Sequence, residues 1–391
     1  MKLSNRVELL QESATLAVSA KAARMQAQGI DVIGFGAGEP DFDTPAHIKA
    51  AGIKAIHEGW TKYAKPTSGM SAVKKAVCSK LLRDNGLTYQ PDQVMVTVGG
   101  KEGCYLTIQA LVDPGDEVII PAPYWVSYPE MVKLAGGIPV FVAGPEASDY
   151  KLTPDILRRA VTPRTKLYIF NSPSNPSGVT YHPEEVRALA AVLVDRDVCV
   201  LSDEIYDQLL FGGQKTLSWA ACGAEVYAKT VTLNAASKTY SMTGWRLGYA
   251  AGPRPIIEAM MKLQSQTTSG AATFNQIALA EALTGDQSDV EHMRAEFERR
   301  AHIMYKHLLA LPGVRCPKPT GAFYCFPNVS ALFNKAGAKT SGQFAEWLLE
   351  KARVAVVPGD AFGLDQHIRL SFALSIEKME EGLRRLRSVL V

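Results

Sequence analysis

One lysine in the middle of the chain has the surroundings of a nucleophile. Lys238 follows the apolar run Thr230–Leu233 and lies in the segment Asn234–Gly248, which is rich in small hydroxyl residues and also carries Arg246. Tyr, Met and Trp side chains flank the lysine, and burial of this kind lowers the pKa of an amine toward neutrality. Because most lysines lie on protein surfaces, Lys238 becomes a catalytic candidate only together with other chemistry-bearing residues.

A carboxylate follows another apolar run in the same way. Asp203 comes just after Val198–Leu201. A carboxylate at the end of a buried strand is costly unless a cation or several hydrogen-bond donors meet it. Asp203 could therefore pair with a cationic ligand, or it could be a capping or salt-bridge residue, and this segment alone leaves both interpretations open.

Two loops have the patterns of binding turns. Val96–Gly103 predicts a strand, two glycines and a helix start, whose free N–H groups and dipole suit a phosphate. In Asn171–Gly178 two prolines restrict the residues before them, so that Asn175 would be held as a rigid amide donor. Tight structural turns would explain either loop equally well.

The elements that must position these residues alternate along the chain. Apolar runs separated by amphipathic stretches, such as Lys101–Val112 and Pro183–Val194, predict an α/β fold of βαβ units around a mainly parallel sheet. Ligands of such sheets collect at the carboxyl ends of the strands, where the four polar segments lie. The predicted strands are Gln93–Thr97, Glu117–Ile120, Ile138–Val142, Lys166–Phe170, Val198–Leu201, Thr230–Leu233 and Leu247–Ala251.

The two ends of the chain predict a second, smaller α+β domain. Residues 46–288 would form the large domain, and residues 1–45 and 289–391 the small one. Pro45–Glu58 is expected to be a helix with Thr44 as its N-cap. The other expected elements are helices at Ser13–Gln28, Asp289–Leu311, near Gln343–Ala352 and from Ile376, and strands at Phe323–Phe326, Val354–Val357 and His367–Phe372.

The combination of these features is more specific than any one of them. Pyridoxal phosphate (PLP) chemistry needs a lysine for a Schiff base, a carboxylate for the pyridine nitrogen, donors for the phenolic oxygen and an anion cradle for the phosphate. All four are present, and the chain resembles the fold-type I aminotransferases of class I, most closely their bacterial aspartate aminotransferase branch. The matching segments run nearly end to end: Ser13–Val18, Gly36–Pro45, Tyr63, Pro123–Pro129, the four segments above, Gly321–Tyr324, Val357–Gly359 and Arg369–Ala373.

The resemblance implies the cofactor contacts. Lys238 would hold PLP as a Schiff base and move a proton between the substrate Cα and the cofactor C4′. Asp203 would pair with the pyridine nitrogen, Asn175 and Tyr206 would bond the phenolic oxygen, and Trp125 would stack on the ring. The residues implied at the phosphate are Gly99, Gly100, Lys101, Ser237 and Arg246, with Tyr63 reaching in from a second subunit. Ala235 stands where the family often has Ser or Gly, which removes one possible phosphate ligand.

The resemblance also implies the substrate contacts. Arg369 would grip the α-carboxylate in a bidentate pair, assisted by the backbone of Gly38 and the amide of Asn175. Trp125 would contact the substrate as well as the cofactor ring. Lys101 would bind the distal carboxylate of a dicarboxylic substrate, because Lys262–Met293 lacks the arginine that another aspartate aminotransferase branch uses.

The leading hypothesis is an aminotransferase that moves the amino group of aspartate or glutamate to a 2-oxo acid. An aromatic, prephenate or broad-range aminotransferase is the nearest alternative. A PLP-binding regulator would carry a DNA-binding domain, and the short segment before Ser13 offers no basic helix for one. A nicotinamide-dependent dehydrogenase would need a GxGxxG turn, which Gly34–Gly38 matches poorly.

Composition argues against several other classes. The chain has 391 residues, and its 42 Lys and Arg are balanced by 39 Asp and Glu without a basic patch for nucleic acid or anionic lipid. Six cysteines without CxxC pairs or metal-ligand spacing predict reduced core thiols and no metal site. The N-terminal segment lacks the apolar region of a secretion signal, and no apolar run reaches the roughly 20 residues of a membrane span. A cytoplasmic homodimer that acts on small molecules is expected.

Overall fold

The computed structural model describes residues 2–391, which form one large and one smaller β-sheet with helices packed around them. The strands are β1 (Ile33–Gly34), β2 (Val94–Val98), β3 (Glu117–Ala122), β4 (Ile138–Ala143), β5 (Thr165–Asn171), β6 (Cys199–Asp203), β7 (Thr230–Ala235), β8 (Leu247–Ala251), β9 (Tyr324–Cys325), β10 (Val354–Ala355), β11 (Val357–Pro358) and β12 (Ile368–Ser371). The helices are α1 (Asn5–Glu8), α2 (Ala14–Ala27), α3 (Ala46–His57), α4 (Ser71–Asn85), α5 (Gly99–Leu111), α6 (Ser127–Leu134), α7 (Pro154–Ala160), α8 (Pro183–Leu193), α9 (Ala224–Tyr227), α10 (Ala236–Thr239), α11 (Arg254–Ser265), α12 (Thr273–Thr284), α13 (Ser288–Leu309), α14 (Phe333–Ala336), α15 (Ser341–Ala352) and α16 (Ile376–Leu390).

The large sheet is mainly parallel, as the sequence predicts. Its strand order is β2-β8-β7-β6-β5-β3-β4, and β8 runs antiparallel to both of its neighbours. Each strand predicted in this part of the chain is present, with ends that shift by at most two residues. The parallel strands β5, β6 and β7 end at the same edge, and Asn171 is the register partner of Asp203 there.

The smaller sheet lies in the C-terminal part of the chain. It has the antiparallel order β11-β12-β9, and a separate parallel pair joins β1 to β10. One hydrophobic cluster surrounds it, with buried residues from β1, from the segment 206–211 and from α13, α15 and α16. The expected mixture of strands and helices after a long helix is therefore present.

A glycine brings the first helix of the large sheet close to the strand before Lys238. A Cβ at Gly103 would lie 2.1 Å from the Cδ1 atom of Leu233, so only glycine lets α5 approach β7 this closely. The contact holds the start of α5 near the end of β7. The two loops that the sequence assigned to phosphate and to the catalytic amine therefore meet.

The expected cap of α3 is wrong. Pro45, not Thr44, is the N-cap residue, and Ala46 is the first residue of the helix. The Thr44 hydroxyl instead donates to the carbonyl oxygen of Ser241 (2.7 Å) and accepts from the indole of Trp245 (3.1 Å). The Thr44 hydroxyl is therefore hydrogen-bonded to the loop that follows Lys238 and does not cap the helix. The residues next to Thr44 in the sequence do not reveal this contact.

All six cysteines are free thiols. Cys104 and Cys325 are buried, whereas the others are only half-buried, which corrects the expectation that all six lie in the core: Cys78, Cys199, Cys222 and Cys316. Within residues 2–391, no helix is long and apolar enough to cross a bilayer, and no cluster of His, Cys, Asp and Glu could hold a metal ion.

Candidate active site

A cavity of about 230 Å³ opens at the carboxyl ends of β5, β6 and β7. Nine of the residues singled out in the sequence line it: Gly38, Gly100, Lys101, Trp125, Asn175, Asp203, Tyr206, Lys238 and Arg369. They come from segments far apart in the chain, from the loop before α3 to β12. The fold therefore gathers most of the sequence-derived candidates around one space.

Lys238 lies in α10, the short helix that follows β7, and its amine points into the cavity. The Nζ atom donates to the carbonyl oxygen of Gly38 (2.5 Å) and lies 5.8 Å from the centre of the Phe323 ring. Burial lowers the pKa of Lys238 to about 8, an effect that the charges of Arg369 and Arg246 reinforce. A substantial fraction of neutral, nucleophilic amine is thus present near neutral pH.

Asp203 is the last residue of β6 and is only 5% exposed. Its Oδ2 atom accepts from the hydroxyl of Tyr128 (2.6 Å) and its Oδ1 atom from the backbone N–H of Ile205 (3.3 Å). Burial raises the pKa of Asp203, whereas these donors and the charge of Lys238 act to lower it. A cationic ring nitrogen placed against this carboxylate would stabilise its ionised form.

The loop after β5 links the two halves of the cavity. The side-chain amide of Asn171 donates to the carbonyl oxygen of Asp203 (3.0 Å), and its oxygen accepts from the backbone N–H of Asn175 (3.0 Å). The Asn175 side-chain oxygen then accepts from Arg369 (3.0 Å). Asn175 is thus held from both sides by these two hydrogen bonds.

Two tyrosines close the wall next to Asn175. The hydroxyl groups of Tyr206 and Tyr324 lie 3.1 Å apart, and both rings are buried. Burial raises the pKa of both tyrosines, so that their hydroxyl groups stay protonated at neutral pH. One hydroxyl donates to the other, which leaves one of the two protons free to donate to an anionic oxygen in the cavity.

The start of α5 has the geometry of an anion cradle. Helix α5 begins at Gly99, so its first N–H groups have no acceptor within the helix. Gly99 has a φ of 74°, and a Cβ there would lie 2.4 Å from a guanidinium nitrogen of Arg246. The Arg246 guanidinium, which donates to the carbonyl of Thr243 (2.9 Å), therefore lies directly over the helix start.

Arg369 is a buried cation without a carboxylate partner. Its side chain is 1% exposed, donates to the oxygens of Asn175 (3.0 Å) and Gly36 (3.0 Å), and stacks on Tyr324 with a separation of 4.4 Å. Its Nε atom has no hydrogen-bond partner among the described residues. Because burying an unpaired charge is costly, this guanidinium is suited to an anion that enters the cavity.

The charges around the cavity match PLP and an amino acid. Lys101, Lys238, Arg246 and Arg369 form none of the ion pairs found among residues 2–391, and Asp203 is the carboxylate that lines the same space. A phosphate and a substrate carboxylate would supply the missing negative charge. The residues present therefore fit the cofactor.

Four predicted residues lie outside the cavity lining. Gly99 and Arg246 adjoin it at the helix start, Ser237 is buried beside Lys238, and Tyr63 is 79% exposed. Sequence reasoning missed other residues of the lining, among them Ser13, Thr15, Tyr128, Asn171 and Tyr324. Tyr128 had a usable signal, because it stands one helical turn after Trp125 in the aromatic segment Pro123–Pro129.

The fold and the site define a fold-type I PLP-dependent enzyme. Residues 30–386 match the family model for aminotransferases of class I and II. An aspartate aminotransferase of Geobacillus stearothermophilus is 51% identical over 99% of this chain and 98% of the relative, and an aspartate/prephenate aminotransferase of Cereibacter sphaeroides is 47% identical over 99% and 98%. The structure of Thermus thermophilus aspartate aminotransferase with maleate superposes with a TM-score of 0.95, at 44% identity over the whole of both chains.

The chain belongs to the class I and II aminotransferase family. It is a transaminase that depends on PLP. Amino acids and 2-oxo acids are accordingly its substrates.

Proposed function

We propose that this enzyme moves the amino group of aspartate or glutamate to a 2-oxo acid, in the reaction aspartate + 2-oxoglutarate ⇌ oxaloacetate + glutamate. The single observation that carries the proposal is the pair of cations, Arg369 and Lys101, on the lining of one cavity. Two carboxylates of one substrate need two such partners. The names of the relatives, aspartate aminotransferase and aspartate/prephenate aminotransferase, support the same substrate class.

In the proposed mechanism PLP, when bound, supplies an aldehyde and an electron-accepting pyridinium ring. Lys238, whose amine is partly neutral, would hold the cofactor and then move a proton between the substrate Cα and C4′. Asp203 would keep the ring nitrogen protonated, and Tyr206 and Asn175 would donate to the phenolic oxygen. Trp125 would contact the ring, and the start of α5 would hold the phosphate with Ser237 and Arg246.

Arg369 is proposed to orient the substrate through its α-carboxylate. Asn175 and Gly36 fix the guanidinium by two hydrogen bonds, and its unpartnered Nε remains for the substrate. The carbonyl oxygen of Gly38 lies 2.5 Å from the Lys238 amine. A substrate bound next to Gly38 and Arg369 would therefore present its Cα to that amine. Because Arg369 is only 1% exposed, a carboxylate bound to it would lie away from bulk water.

Lys101 is proposed to bind the distal carboxylate. It lies at the exposed mouth of the cavity, and its ammonium is 5.1 Å from the centre of the Trp125 ring. Although the residue as a whole is exposed, partial desolvation of its ammonium group and the charge of Arg246 lower the pKa of Lys101. An incoming carboxylate would favour the protonated form and draw the ammonium toward itself.

Substrate preference is tested with donors of different chemistry. We expect aspartate and glutamate to be used far better than phenylalanine or alanine, and Lys101→Glu to lose dicarboxylates selectively while keeping neutral donors. Lys262→Glu, which changes an exposed lysine of α11, is the matched control. Steady-state kcat/KM values decide the question: failure of aspartate as a donor, or an equal loss for all donors in Lys101→Glu, contradicts the proposal.

The covalent role of Lys238 is tested independently of the substrate. Reduction of the holoenzyme with borohydride, followed by peptide mapping, should label Lys238. Lys238→Ala should lower the rate of the half-reaction by about 10⁴-fold, the upper range for general acid–base catalysis. An unlabelled Lys238 or full activity of the variant would refute its role.

An aromatic or prephenate aminotransferase is the second candidate. It is favoured by the relatives that are named aspartate/prephenate aminotransferases at similar identity. Turnover of prephenate at a rate similar to that of aspartate would establish this broader activity without changing the roles proposed for the cofactor contacts.

The proposal includes a homodimer that shares its active sites. The hydroxyl of Tyr63 would reach the phosphate of a second copy, and the nearby side chains of Ile53, Ile56 and Trp60 are exposed as an interface requires. Mixing Tyr63→Phe with Lys238→Ala protomers tests this, because only a shared site gives every mixed dimer one intact site and one site that carries both defects. Sedimentation gives the assembly state.

Two further expectations belong to the proposal. The domains are proposed to be residues 46–288 and residues 1–45 with 289–391, which is supported by the separate hydrophobic clusters around the two sheets. A cytoplasmic location is supported by the six free thiols, since disulfides are rare in that compartment. Limited proteolysis and cell fractionation test these statements.

A further inference from the structure

The two carboxylate oxygens of Asp203 have unequal surroundings. The Oδ2 atom accepts from the Tyr128 hydroxyl at 2.6 Å and lies 3.8 Å from the Sγ atom of Cys104. The Oδ1 atom is contacted by the backbone N–H of Ile205 at a longer distance, 3.3 Å. The Oδ2 atom is therefore held by side chains from α6 and α5, whereas the Oδ1 atom has only one long backbone contact.

Both side-chain donors are locked in their neutral forms. Tyr128 and Cys104 are buried, and burial raises the pKa of each well above its usual value, with the charge of Asp203 adding to the effect. A neutral hydroxyl and a neutral thiol can each donate a hydrogen bond to a carboxylate, the thiol more weakly. Tyr128 and Cys104 therefore stay protonated when Asp203 is ionised.

Two packing contacts fix these donors. The Tyr128 ring meets Trp125 edge to face at 5.2 Å, and the Tyr128 backbone N–H donates to the Trp125 carbonyl (3.1 Å). Cys104 lies on α5, where the Gly103 contact with Leu233 sets the distance to the sheet. The donors thus come from two different helices, α6 and α5.

We propose that Tyr128 and Cys104 are positioning residues that hold Oδ2 of Asp203, keep the carboxylate ionised and leave Oδ1 to receive the N–H of the cofactor's pyridine ring. The inference rests on the proposed role of Asp203. It adds two residues that the resemblance does not assign to any function. It also states which oxygen is committed to the protein and which to the cofactor.

The charged and titratable groups that face Asp203 explain why such help is needed. Lys238 on α10 favours the ionised form of Asp203, whereas Tyr206 and the buried surroundings offer it no positive charge. Without donors on Oδ2, burial would favour a neutral carboxyl group, which cannot form an ion pair with a pyridinium. Tyr128, with the shorter contact, should contribute most.

The test uses the holoenzyme reconstituted with PLP that carries ¹⁵N at the ring position. The ¹⁵N chemical shift during a pH titration reports protonation of the ring nitrogen directly, and fluorescence gives the Kd of the apoenzyme for PLP. In Tyr128→Phe we expect the pKa of the ring nitrogen to fall by about one unit and Kd to rise about tenfold, the scale of one lost hydrogen bond to a charged group. Cys104→Ala should raise Kd about twofold, and Cys104→Ser should restore it because a hydroxyl is the better donor.

Matched controls separate this role from folding. Tyr168→Phe removes a hydroxyl that is equally buried but has no partner, and Cys199→Ala changes a thiol at the other end of β6. Both should leave the ¹⁵N titration and Kd unchanged, and thermal melts check that every variant is folded. Cys104→Ser supplies a conservative replacement should the alanine variant be unstable.

The outcomes distinguish this inference from the proposed function. If the wild type does not bind PLP, or if Asp203→Asn titrates like the wild type, the role of Asp203 itself fails. If Asp203→Asn loses the ring proton while Tyr128→Phe and Cys104→Ala behave like their controls, the role of Asp203 stands and the positioning role of Tyr128 and Cys104 is overturned.

Discussion

The two ends of the cavity are built in different ways. At the cofactor end, Asp203 is the last residue of β6 and Lys238 follows the neighbouring parallel strand β7, and each already has hydrogen-bond partners within the protein. At the substrate end, Arg369 comes from the smaller sheet and keeps one nitrogen without a partner and no carboxylate beside it. Asp203 and Lys238 are therefore held by the protein before a ligand arrives, whereas Arg369 keeps a donor for the ligand.

This difference teaches how one cavity can serve two ligands. A resident cofactor needs fixed geometry, which the register of β5, β6 and β7 provides. A substrate that enters and leaves needs a strong but reversible attraction, which an unpaired buried cation provides. Changes at one end should therefore affect one ligand far more than the other.

Among the changes that separate the two ends, Arg369→Lys is expected to have the largest effect. An ammonium cannot form the bidentate pair with a carboxylate that a guanidinium forms, so KM for aspartate should rise about 10²–10³-fold. The Kd of the apoenzyme for PLP should change less than twofold, because Arg369 makes no contact with the start of α5. Steady-state kinetics give KM for aspartate, and a fluorescence titration gives Kd for PLP. If KM and Kd rose by the same factor, the two ends of the cavity would not bind their ligands separately.

A smaller effect is expected for the pH dependence of cofactor capture. With the pKa of Lys238 at about 8, roughly 1% of the amine is neutral at pH 6 and about half at pH 8. Because only the neutral amine attacks the aldehyde, the rate of PLP capture by the apoenzyme should rise about 50-fold between these pH values and level off above pH 9. Stopped-flow absorbance measures it, and a rate that keeps rising to pH 10.5 would mean that burial does not lower this pKa.

The smallest effect is expected for Gly99→Ala. The added Cβ would meet the Arg246 guanidinium, and alanine would be strained at a φ of 74°, so Kd for PLP should rise about tenfold while KM stays nearly constant. Gly212→Ala is the matched control, since Gly212 has a φ of 64° but open space around it. Equal effects of both variants on Kd would attribute the loss to backbone strain and not to the phosphate cradle.

The sequence predicted the cofactor end better than the substrate end, for a physical reason. Asp203 and Lys238 follow buried strands, and such strands are recognisable as short apolar runs whose carboxyl ends must meet in a parallel sheet. The unpaired state of Arg369 depends on residues that are not its sequence neighbours, such as Asn175 and Tyr324. No local pattern contains that information.

The errors have the same origin. Thr44 has the residue type of a helix cap, yet its hydroxyl is taken by Ser241 and Trp245, which are almost 200 residues away in the chain. Tyr128 was visible within a matching segment but carried no implied role, because its contact with Asp203 arises only when α6 packs on the large sheet. Contacts between distant segments decide these side chains.

The contact between Gly103 and Leu233 sets a fixed span inside the protein. It ties the start of α5, which would face one end of a bound cofactor, to β7, the strand that precedes the reactive amine at the other end. A molecule much longer or shorter than this span cannot reach both ends together. Because Gly103 has no Cβ, it sets the distance between α5 and β7 and thereby the length of the cofactor that fits, although Gly103 itself does not line the cavity.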